Sequence, residues 1–297
     1  MIQFIICFFL VLIPTLTFSQ SQKDSSSFYL VKEIITVLSH DSLKGRAVGS
    51  IEEKKSLSYI ETKFKSLTNK KLKIQSFNFI LYSTTINSEN SYFYINKHKK
   101  QTILISAHYD HIGLGGKLSL SARKDQIHNG ADDNASGVAL LLSLVNELIL
   151  AKNSKYNYLI VFYSAHEVGL FGSENFYNNL IESKNKFKPI YLAINFDMVG
   201  RMDPDLKKYN CFTSNDSIIT SNSTFLKDNG FNLNITKDTI KLSNLDTHKF
   251  IENEFNCMNF TSGIHIDYHS VNDDEKYINY EGILLFRKYI LSYISSL

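Results

Sequence analysis

Hydrophobic residues along the chain follow two patterns. Uninterrupted apolar runs of strand length cover residues 102–107, 157–165 and 190–197, and such runs are typical of buried strands. Elsewhere, apolar residues recur with the spacing of helices, in residues 28–40, 51–67, 135–152, 172–184 and 277–297. Because these strands and helices alternate, the chain is predicted to form βαβ units. The expected fold class is α/β, in a three-layer α/β/α arrangement whose central layer is a mixed, mostly parallel sheet.

Other segments carry weaker signals. Alternation of apolar and polar residues in segments 72–81 and 91–95 predicts a strand pair that precedes the first buried strand. Residues 210–213 and 233–235 are expected to be short strands, and residues 219–228 a helix.

Polar residues follow the buried strands at the point where each strand ends. The first run ends in His108, Asp110 and His111, whereas Asp133 lies where a Gly-rich loop turns into the helix of residues 135–152. In α/β sheets, ligands often bind at the carboxyl ends of the strands. A histidine at a strand end and an aspartate at a helix start are therefore expected to meet at one site.

Each of these clusters also has a structural explanation. Acidic residues before an apolar helix are common helix caps, and an isolated His-x-Asp is more often a hydrogen-bonded pair than a metal site. Three further clusters change this balance, because the later apolar runs lead to His166-Glu167, Asp197 and Tyr268-His269. The repetition favours a metal site over separate structural roles.

Composition limits the general class of the protein. A chain of 297 residues with 43% hydrophobic content is long enough to bury a substantial core. We expect one domain over residues 21–297. The net charge of +3 is spread without long blocks of one sign, which argues against nucleic-acid binding.

Residues 1–20 resemble a secretory signal peptide. An apolar run over residues 2–13 is followed by Pro14 and small residues at Thr17 and Ser19. The alternative is a membrane anchor, but the run is short for a span of about 20 residues. We therefore expect an exported protein, periplasmic or extracellular, with no stable membrane span after cleavage. Cys211 and Cys257 would then form one disulfide or remain two buried thiols.

The chemistry of the polar clusters indicates zinc. Five residues of the types that bind zinc follow the predicted strands or the loop before the helix: His108, Asp133, Glu167, Asp197 and His269. They suffice for two Zn²⁺ ions if one carboxylate bridges them. Two Zn²⁺ ions, three carboxylates and one hydroxide together carry no net charge, as a partly buried site favours. Asp110, two residues after His108, is expected to hold the His108 ring.

The motifs resemble those of the dizinc aminopeptidase family, which includes aminopeptidase Y and bacterial leucyl aminopeptidases, with glutamate carboxypeptidase and glutaminyl cyclase as more distant relatives. Five motifs carry the resemblance, in the family's order: His108-x-Asp110, residues 130–137, residues 166–173, residues 195–200 and residues 268–270. Residues 43–50 (Leu-Lys-Gly-Arg-Ala-Val-Gly-Ser) also resemble the start of mature bacterial members. The resemblance implies a zinc-exopeptidase fold.

The resemblance also implies roles for individual residues. Asp133 would bridge the two zinc ions, His108 and Asp197 would complete one site, and Glu167 and His269 the other. Tyr268 would donate a hydrogen bond to the tetrahedral oxyanion. Asp110 and Asp273 would support the ligands from outside. Asp246 occupies the place of a family Ser-Asp-x-x-x-Phe motif, to which no role is assigned.

One position departs from the family pattern. The family has Glu-Glu where this chain has His166-Glu167, and the first glutamate is the general base. One hypothesis is that His166 replaces this base, because neutral imidazole has a suitable pKa of about 6.5. The other is that His166 is a further ligand or an inert neighbour, which would leave a slow or inactive zinc protein.

The expected function is therefore an exported zinc aminopeptidase. It would hydrolyse N-terminal residues from peptides with a free N-terminus, through a hydroxide that bridges two zinc ions. The alternatives are a catalytically impaired zinc-binding homologue and a glutaminyl cyclase. The cyclases keep the acidic pair and place tryptophan around the substrate, whereas this chain has no Trp. A dimetal phosphoesterase or amidohydrolase fits the ligand types but not the motif order.

Overall fold

A single mixed sheet forms the centre of the computed structural model, which describes residues 24–122, 125–183, 187–215, 223–237 and 243–297. The predicted signal peptide lies outside the described residues. Eight strands form the sheet: β1 (Lys73–Leu81), β2 (Thr84–Ile95), β3 (Thr102–His108), β4 (Asn157–Tyr163), β5 (Ile190–Phe196), β6 (Lys208–Thr213), β7 (Asn232–Thr236) and β8 (Cys257–Thr261). Their spatial order is β1-β2-β4-β3-β5-β8-β6-β7.

Parallel pairing dominates the centre of this sheet. Strand β3 pairs in parallel with β4 and with β5, and β5 pairs in parallel with β8. Antiparallel pairs join β1 to β2, β2 to β4 and β6 to β8. The central strands β3 and β4 are buried along their whole length, because helices cover both faces of the sheet, and such strands need continuous apolar sequence.

Seven helices accompany the sheet in the described residues: α1 (24–38), α2 (Ile51–Thr68), α3 (Gly137–Leu150), α4 (Phe171–Glu182), α5 (Ser223–Asp228), α6 (His248–Glu252) and α7 (Tyr280–Ser296). Alternate residues of each strand face opposite layers. In β3, Ile103 and Ile105 pack in the core with α1, α2, α3 and α7. Leu104 packs on the other face, with aromatic residues of α4 and α6. The predicted three-layer α/β/α fold is therefore confirmed.

Several boundaries differ from those predicted. Strand β2 is longer than the predicted segment 91–95. Its exposed first half contains polar residues, so the apolar pattern did not predict that part of the strand. Strand β8 and helix α6 were not predicted. The predicted helix 219–228 lies partly outside the described residues, and its described part is α5.

Helix α3 is apolar on nearly all sides because it packs inside the protein. The span Ala131–Leu150 is long and apolar enough to cross a membrane by length and composition, but 78% of its most apolar window is buried inside the protein. Cys211 and Cys257 are both buried, and neither forms a disulfide.

Candidate metal centre

The candidate site lies at the carboxyl edge of the three neighbouring strands β4, β3 and β5. His108 is the last residue of β3, whereas His166 and Asp197 follow the ends of β4 and β5. Asp133 comes from a π-helical turn, Ala131–Ser136, that leads directly into α3. His269 follows β8 in a loop. Parallel pairing explains this convergence, since the strands end at the same edge.

Sharp backbone turns redirect the chain beside these residues. Ala165 (φ 55°), Met198 (φ 55°) and His269 (φ 49°) all have left-handed backbone conformations. Non-glycine residues adopt this conformation rarely because it brings the side chain close to the backbone. Ala165 precedes His166 and Met198 follows Asp197, so the strained residues accompany the polar groups that the edge presents.

Two groups of polar atoms converge in the site and share Asp133. In the first group, His108 Nε2 lies 3.4 Å from Asp133 Oδ1 and 3.4 Å from Asp197 Oδ1. In the second group, His269 Nε2 lies 3.3 Å from Asp133 Oδ2 and 3.0 Å from Glu167 Oε2. One oxygen of Asp133 faces each group, as a bridging carboxylate requires.

His111, which is not among the five predicted ligands, joins the second group. His111 Nδ1 lies 2.8 Å from Glu167 Oε1 and 3.8 Å from Asp133 Oδ2. The only sequence signal for this residue is its place directly after Asp110, at the end of the strand segment that presents His108.

The geometry of these atoms fits zinc. Tetrahedral zinc with bonds of about 2.0–2.1 Å places its ligand atoms roughly 3.3 Å apart, close to the distances within both groups. His269 supplies a further test. Its Nδ1 donates to the carbonyl oxygen of Leu118 at 3.1 Å, so Nε2 of the neutral ring carries a lone pair. That Nε2 is buried and faces the carboxylates of Asp133 and Glu167 without the geometry of a hydrogen bond, as expected for a metal ligand.

Asp110 supports both groups from behind. Its carboxylate accepts hydrogen bonds from the backbone N–H groups of His166 (3.1 Å) and Glu167 (3.2 Å). Its Oδ1 is 3.7 Å from His108 Nδ1, which lies closer, at 3.3 Å, to the carbonyl oxygen of Asp110. Asp110 therefore positions the backbone of residues 166–167 more directly than it holds the His108 ring.

His166 is oriented by Asp246. Its Nδ1 donates to Asp246 Oδ2 at 3.1 Å, and its Nε2 lies 3.9 Å from Asp197 Oδ2. Burial and His108 would lower the pKa of His166, but Asp246 and Asp197 outweigh them and raise it to about 9. The sequence placed Asp246 in a family motif without a role, and the fold brings it to the ring of His166 across 80 residues.

Carboxylates and imidazoles shift one another's pKa values in the site. Burial would raise the pKa of Glu167, but the neighbouring imidazoles of His111 and His269 hold it well below its usual range. Burial would lower the pKa of His269, whereas Asp133 and Glu167 raise it to about 10. The imidazoles are thus surrounded by carboxylates, and divalent cations would neutralise this negative charge.

Tyr268 lies beside the two groups. Its ring stacks on that of His269, with ring centroids 4.0 Å apart. Burial and the carboxylates of Asp133, Glu167 and Asp197 raise the pKa of Tyr268 above its usual value. The phenol therefore remains protonated and available as a hydrogen-bond donor.

Asp273 holds the loop that carries Asp133. Its carboxylate accepts hydrogen bonds from the backbone N–H of Asp132 at 3.0 Å and of Asp133 at 2.9 Å. Burial and the nearby Asp132 raise the pKa of Asp273 to about 6. Asp273 thus contacts the turn of Asp133 and neither group of ligand atoms.

Arg46 ties the N-terminal segment to the site. It is fully buried and donates hydrogen bonds to four carbonyl oxygens, those of Leu38, Tyr109, Asn129 and Gly130. Tyr109 lies between His108 and Asp110, and Gly130 begins the turn that carries Asp133. Burial lowers the pKa of Arg46 to about 10, so it remains charged at neutral pH. These contacts explain the arginine within segment 43–50.

A cavity of about 600 Å³ opens onto the site, with Asp133, His166, Asp197 and Tyr268 among its lining residues. Its other walls come largely from β6, β7 and β8 and are neutral. They contain four asparagines together with aromatic and aliphatic residues, among them Asn210, Phe212, Asn234, Ile235, Asn244, Leu245 and Asn259. This volume falls in the usual range for small-molecule sites.

Comparison with known proteins agrees with the motifs. Residues 91–294 match the model of peptidase family M28. No curated protein matches the sequence.

Solved structures share the fold at low sequence identity. The zinc aminopeptidase BSAP from Bacillus subtilis is 15% identical with a TM-score of 0.72, over 90% of this chain and 94% of that one. Legionella pneumophila LapA aminopeptidase is 16% identical, with a TM-score of 0.69 over 93% and 74% of the two chains. The glutaminyl cyclase of Bacteroides thetaiotaomicron is 17% identical, with a TM-score of 0.70 over 92% and 98%.

Proposed function

The chain belongs to peptidase family M28, and from this premise we propose that it is an exported aminopeptidase that binds two zinc ions. The family and the zinc-exopeptidase fold predicted from the motifs are confirmed, and the protein is a metallo-exopeptidase. One observation carries the finer proposal. The two oxygens of Asp133 face two separate groups of ligand atoms, each 3.3–3.4 Å from a histidine nitrogen.

The proposed ligands divide between two ions. His108 and Asp197 would bind the first ion, Glu167 and His269 the second, and Asp133 both. When bound, such ions polarise the scissile carbonyl and acidify water toward a pKa of about 7. The remaining chemistry depends on protein groups that move protons and orient the substrate.

His166 is proposed as the proton acceptor. Asp246 holds its Nδ1–H, and Nε2 is directed toward the ligand groups at the wall of the cavity. The pKa of about 9 belongs to the ring among carboxylates alone; bound cations would lower it, because nearby positive charge disfavours the imidazolium, and would leave Nε2 free to accept a proton. As the oxygen of water forms a bond to the carbonyl carbon, His166 Nε2 accepts the proton of that water. It then returns the proton to the leaving amine as the C–N bond breaks. The carboxylic acid so formed gives its proton to solvent, so that a carboxylate and a new N-terminus result.

Tyr268 is proposed to stabilise the charge that develops on the carbonyl oxygen. Its phenol remains a donor because its pKa is raised, and its ring is held against His269. A preformed donor of this kind favours the transition state over the substrate.

The shape and charge of the cavity support peptides with a free N-terminus as substrates. Its charged lining groups are Asp133, Asp197 and His166, all at the metal end, whereas β6, β7 and β8 supply neutral side chains. A protonated amine is attracted to the carboxylates, and the neutral walls suit an uncharged side chain. Neither nucleic acid nor a membrane takes part in the proposed reaction.

The test combines metal analysis with a substrate panel. Zinc per chain is measured in the purified protein, and the same sample is assayed on aminoacyl-anilides and dipeptides, with N-acetylated versions as controls. Two zinc ions per chain and hydrolysis that requires a free amine are expected. Release of cyclised product from N-terminal glutamine would instead indicate a glutaminyl cyclase. Bound zinc without hydrolysis would indicate an impaired homologue.

A further inference from the structure

We infer that His111 is a metal ligand, which makes the second ion's site a set of two nitrogens and two oxygens from His111, His269, Asp133 and Glu167. The family pattern described above supplies only three of these residues. The inference rests on the proposed metal centre and adds one ligand to it.

The position of the His111 ring supports this assignment. Its Nδ1 lies 2.8 Å from Glu167 Oε1 and 3.8 Å from Asp133 Oδ2, the same two carboxylates that face His269 Nε2. The rings of His111 and His269 are nearly perpendicular, at 80°, with centroids 5.8 Å apart. The two rings thus stand at a large angle to each other beside the same pair of carboxylates.

The surrounding backbone fixes this ring. The N–H of His111 donates to the carbonyl oxygen of Arg46 at 3.3 Å. Gly130 has φ 58°, and a Cβ there would lie 2.6 Å from Cγ and Cδ2 of His111. The ring therefore packs directly against a glycine backbone, where no side chain separates it from the turn that carries Asp133.

Contact with Glu167 alone does not account for the position of the ring. One ligand atom each from His111, Asp133 and Glu167 lies within 4.8 Å of the others, a spacing that could hold a metal ion. A neutral ring bound through Nδ1 leaves the charge count of the proposed dizinc centre unchanged.

The first test measures metal affinity. Zinc is titrated against a competing chromogenic chelator in the wild type, in His111→Ala and in His128→Ala. His128 is a suitable control because it is equally buried and its ring bonds Ser119 Oγ at 2.8 Å and the carbonyl oxygen of Gln126 at 2.8 Å, outside both ligand groups.

We expect His111→Ala to lower the affinity for one of the two zinc ions by at least about 10- to 100-fold. Loss of residues that only support metal ligands already causes losses of this size. His128→Ala should keep both affinities within about threefold of the wild type. Two unchanged affinities in His111→Ala, or equal losses in both variants, would overturn the inference.

A second measurement needs no substitution. The wild-type protein is loaded with ¹¹³Cd²⁺, and metal–proton couplings to the histidine rings are recorded by NMR. A ring bound through Nε2 shows couplings to both of its carbon-bound protons, whereas a ring bound through Nδ1 shows one to Hε1 but none to Hδ2. One ring of the second kind is expected, because His108 and His269 present Nε2. Couplings from rings of the first kind alone would overturn the inference.

These measurements separate the inference from the proposed function. They report metal ligation without turnover, so a wild type that shows the Nδ1-bound ring but hydrolyses no peptide contradicts the aminopeptidase and supports the ligand. Conversely, peptide hydrolysis with two ions and an unaltered His111→Ala affinity supports the aminopeptidase and contradicts the ligand.

Discussion

The imidazole of His166 lies flat against that of His108, with ring centroids 3.8 Å apart and an angle of 5° between the planes. The Nε2 atoms of both rings lie near Asp197, at 3.9 Å for His166 and 3.4 Å for His108. The residue that replaces the family's glutamate is thus placed beside the ligands. Both proton transfer and metal binding use the lone pair on this Nε2, so experiment has to separate the two roles.

Substitution of His166 tests the proposed base. We expect His166→Ala to lower kcat by about 10²- to 10⁴-fold, the usual contribution of a positioned base, and to leave two zinc ions bound. Asp246→Asn should cause a smaller loss, since the ring keeps its Nε2 but loses the carboxylate that orients it. Steady-state kinetics and metal analysis check both, with His248→Ala, in a helix outside the site, as the control.

Restoring the family's glutamate supplies the opposite comparison. If His166 is an adapted base, His166→Glu should remain within about tenfold of the wild-type rate, because either residue can accept the proton. A rise in kcat by orders of magnitude would contradict that role. Loss of one zinc ion in His166→Ala would show instead that His166 is a ligand.

Tyr268→Phe tests stabilisation of the oxyanion. Removing one donor of this kind typically lowers kcat by about 10²- to 10³-fold, and KM should change little because the ring remains. Since the pKa of Tyr268 is raised, its ionisation should not limit the wild-type rate up to a pH of about 10. Tyr277→Phe, at a side chain that is 48% exposed, is the control. An unchanged kcat in Tyr268→Phe would exclude the proposed donor.

Arg46→Ala should destabilise the folded protein. Its guanidinium serves four carbonyl oxygens in a buried position, and each acceptor left unsatisfied costs about 1–3 kcal/mol. A loss of about 3 kcal/mol or more in the free energy of unfolding is expected, measured by urea denaturation. Arg46→Lys should recover only part of it, because an ammonium lacks the planar fork. Lys44→Ala is the exposed control, and an equal loss there would refute the prediction.

Glu53 should make stability depend on pH. Burial raises its pKa to about 7 in the folded protein, although hydrogen bonds from Ser164 and Ser88 oppose the shift. The unfolded chain ionises first, near the ordinary value of 4.5. The proton is therefore held more tightly in the folded state, and this group's contribution to stability declines as pH rises from about 4.5 to about 7, by roughly 3 kcal/mol.

Glu53→Gln should remove this decline, because the amide does not titrate. Free energies of unfolding measured at several pH values check it, with Glu182→Gln at an exposed position as the control. If the wild type and Glu53→Gln show the same pH dependence between 4.5 and 7, the assignment to Glu53 is wrong.

The sequence determined the elements and the main chemistry of this protein. Continuous apolar runs identified β3, β4 and β5 because strands covered on both faces need apolar side chains at every position. The motifs at their ends identified the family, because they contain metal-binding residue types in the order of that family. The short strands β6 and β7 were predicted to within two residues at each end, whereas β8 was missed because its five residues give too short an apolar run.

Only the tertiary structure decided which residues meet across the chain. Asp246 reaches the ring of His166 from 80 positions away, and Arg46 joins the segment after His108 to the turn that carries Asp133. The sequence placed His111 in the polar cluster after β3 without a role. Its ring faces Glu167 because the chain turns there against Gly130. The local sequence pattern predicts strands and helices. Contacts between distant residues depend on the direction of each turn, and the packing of the whole domain determines that direction.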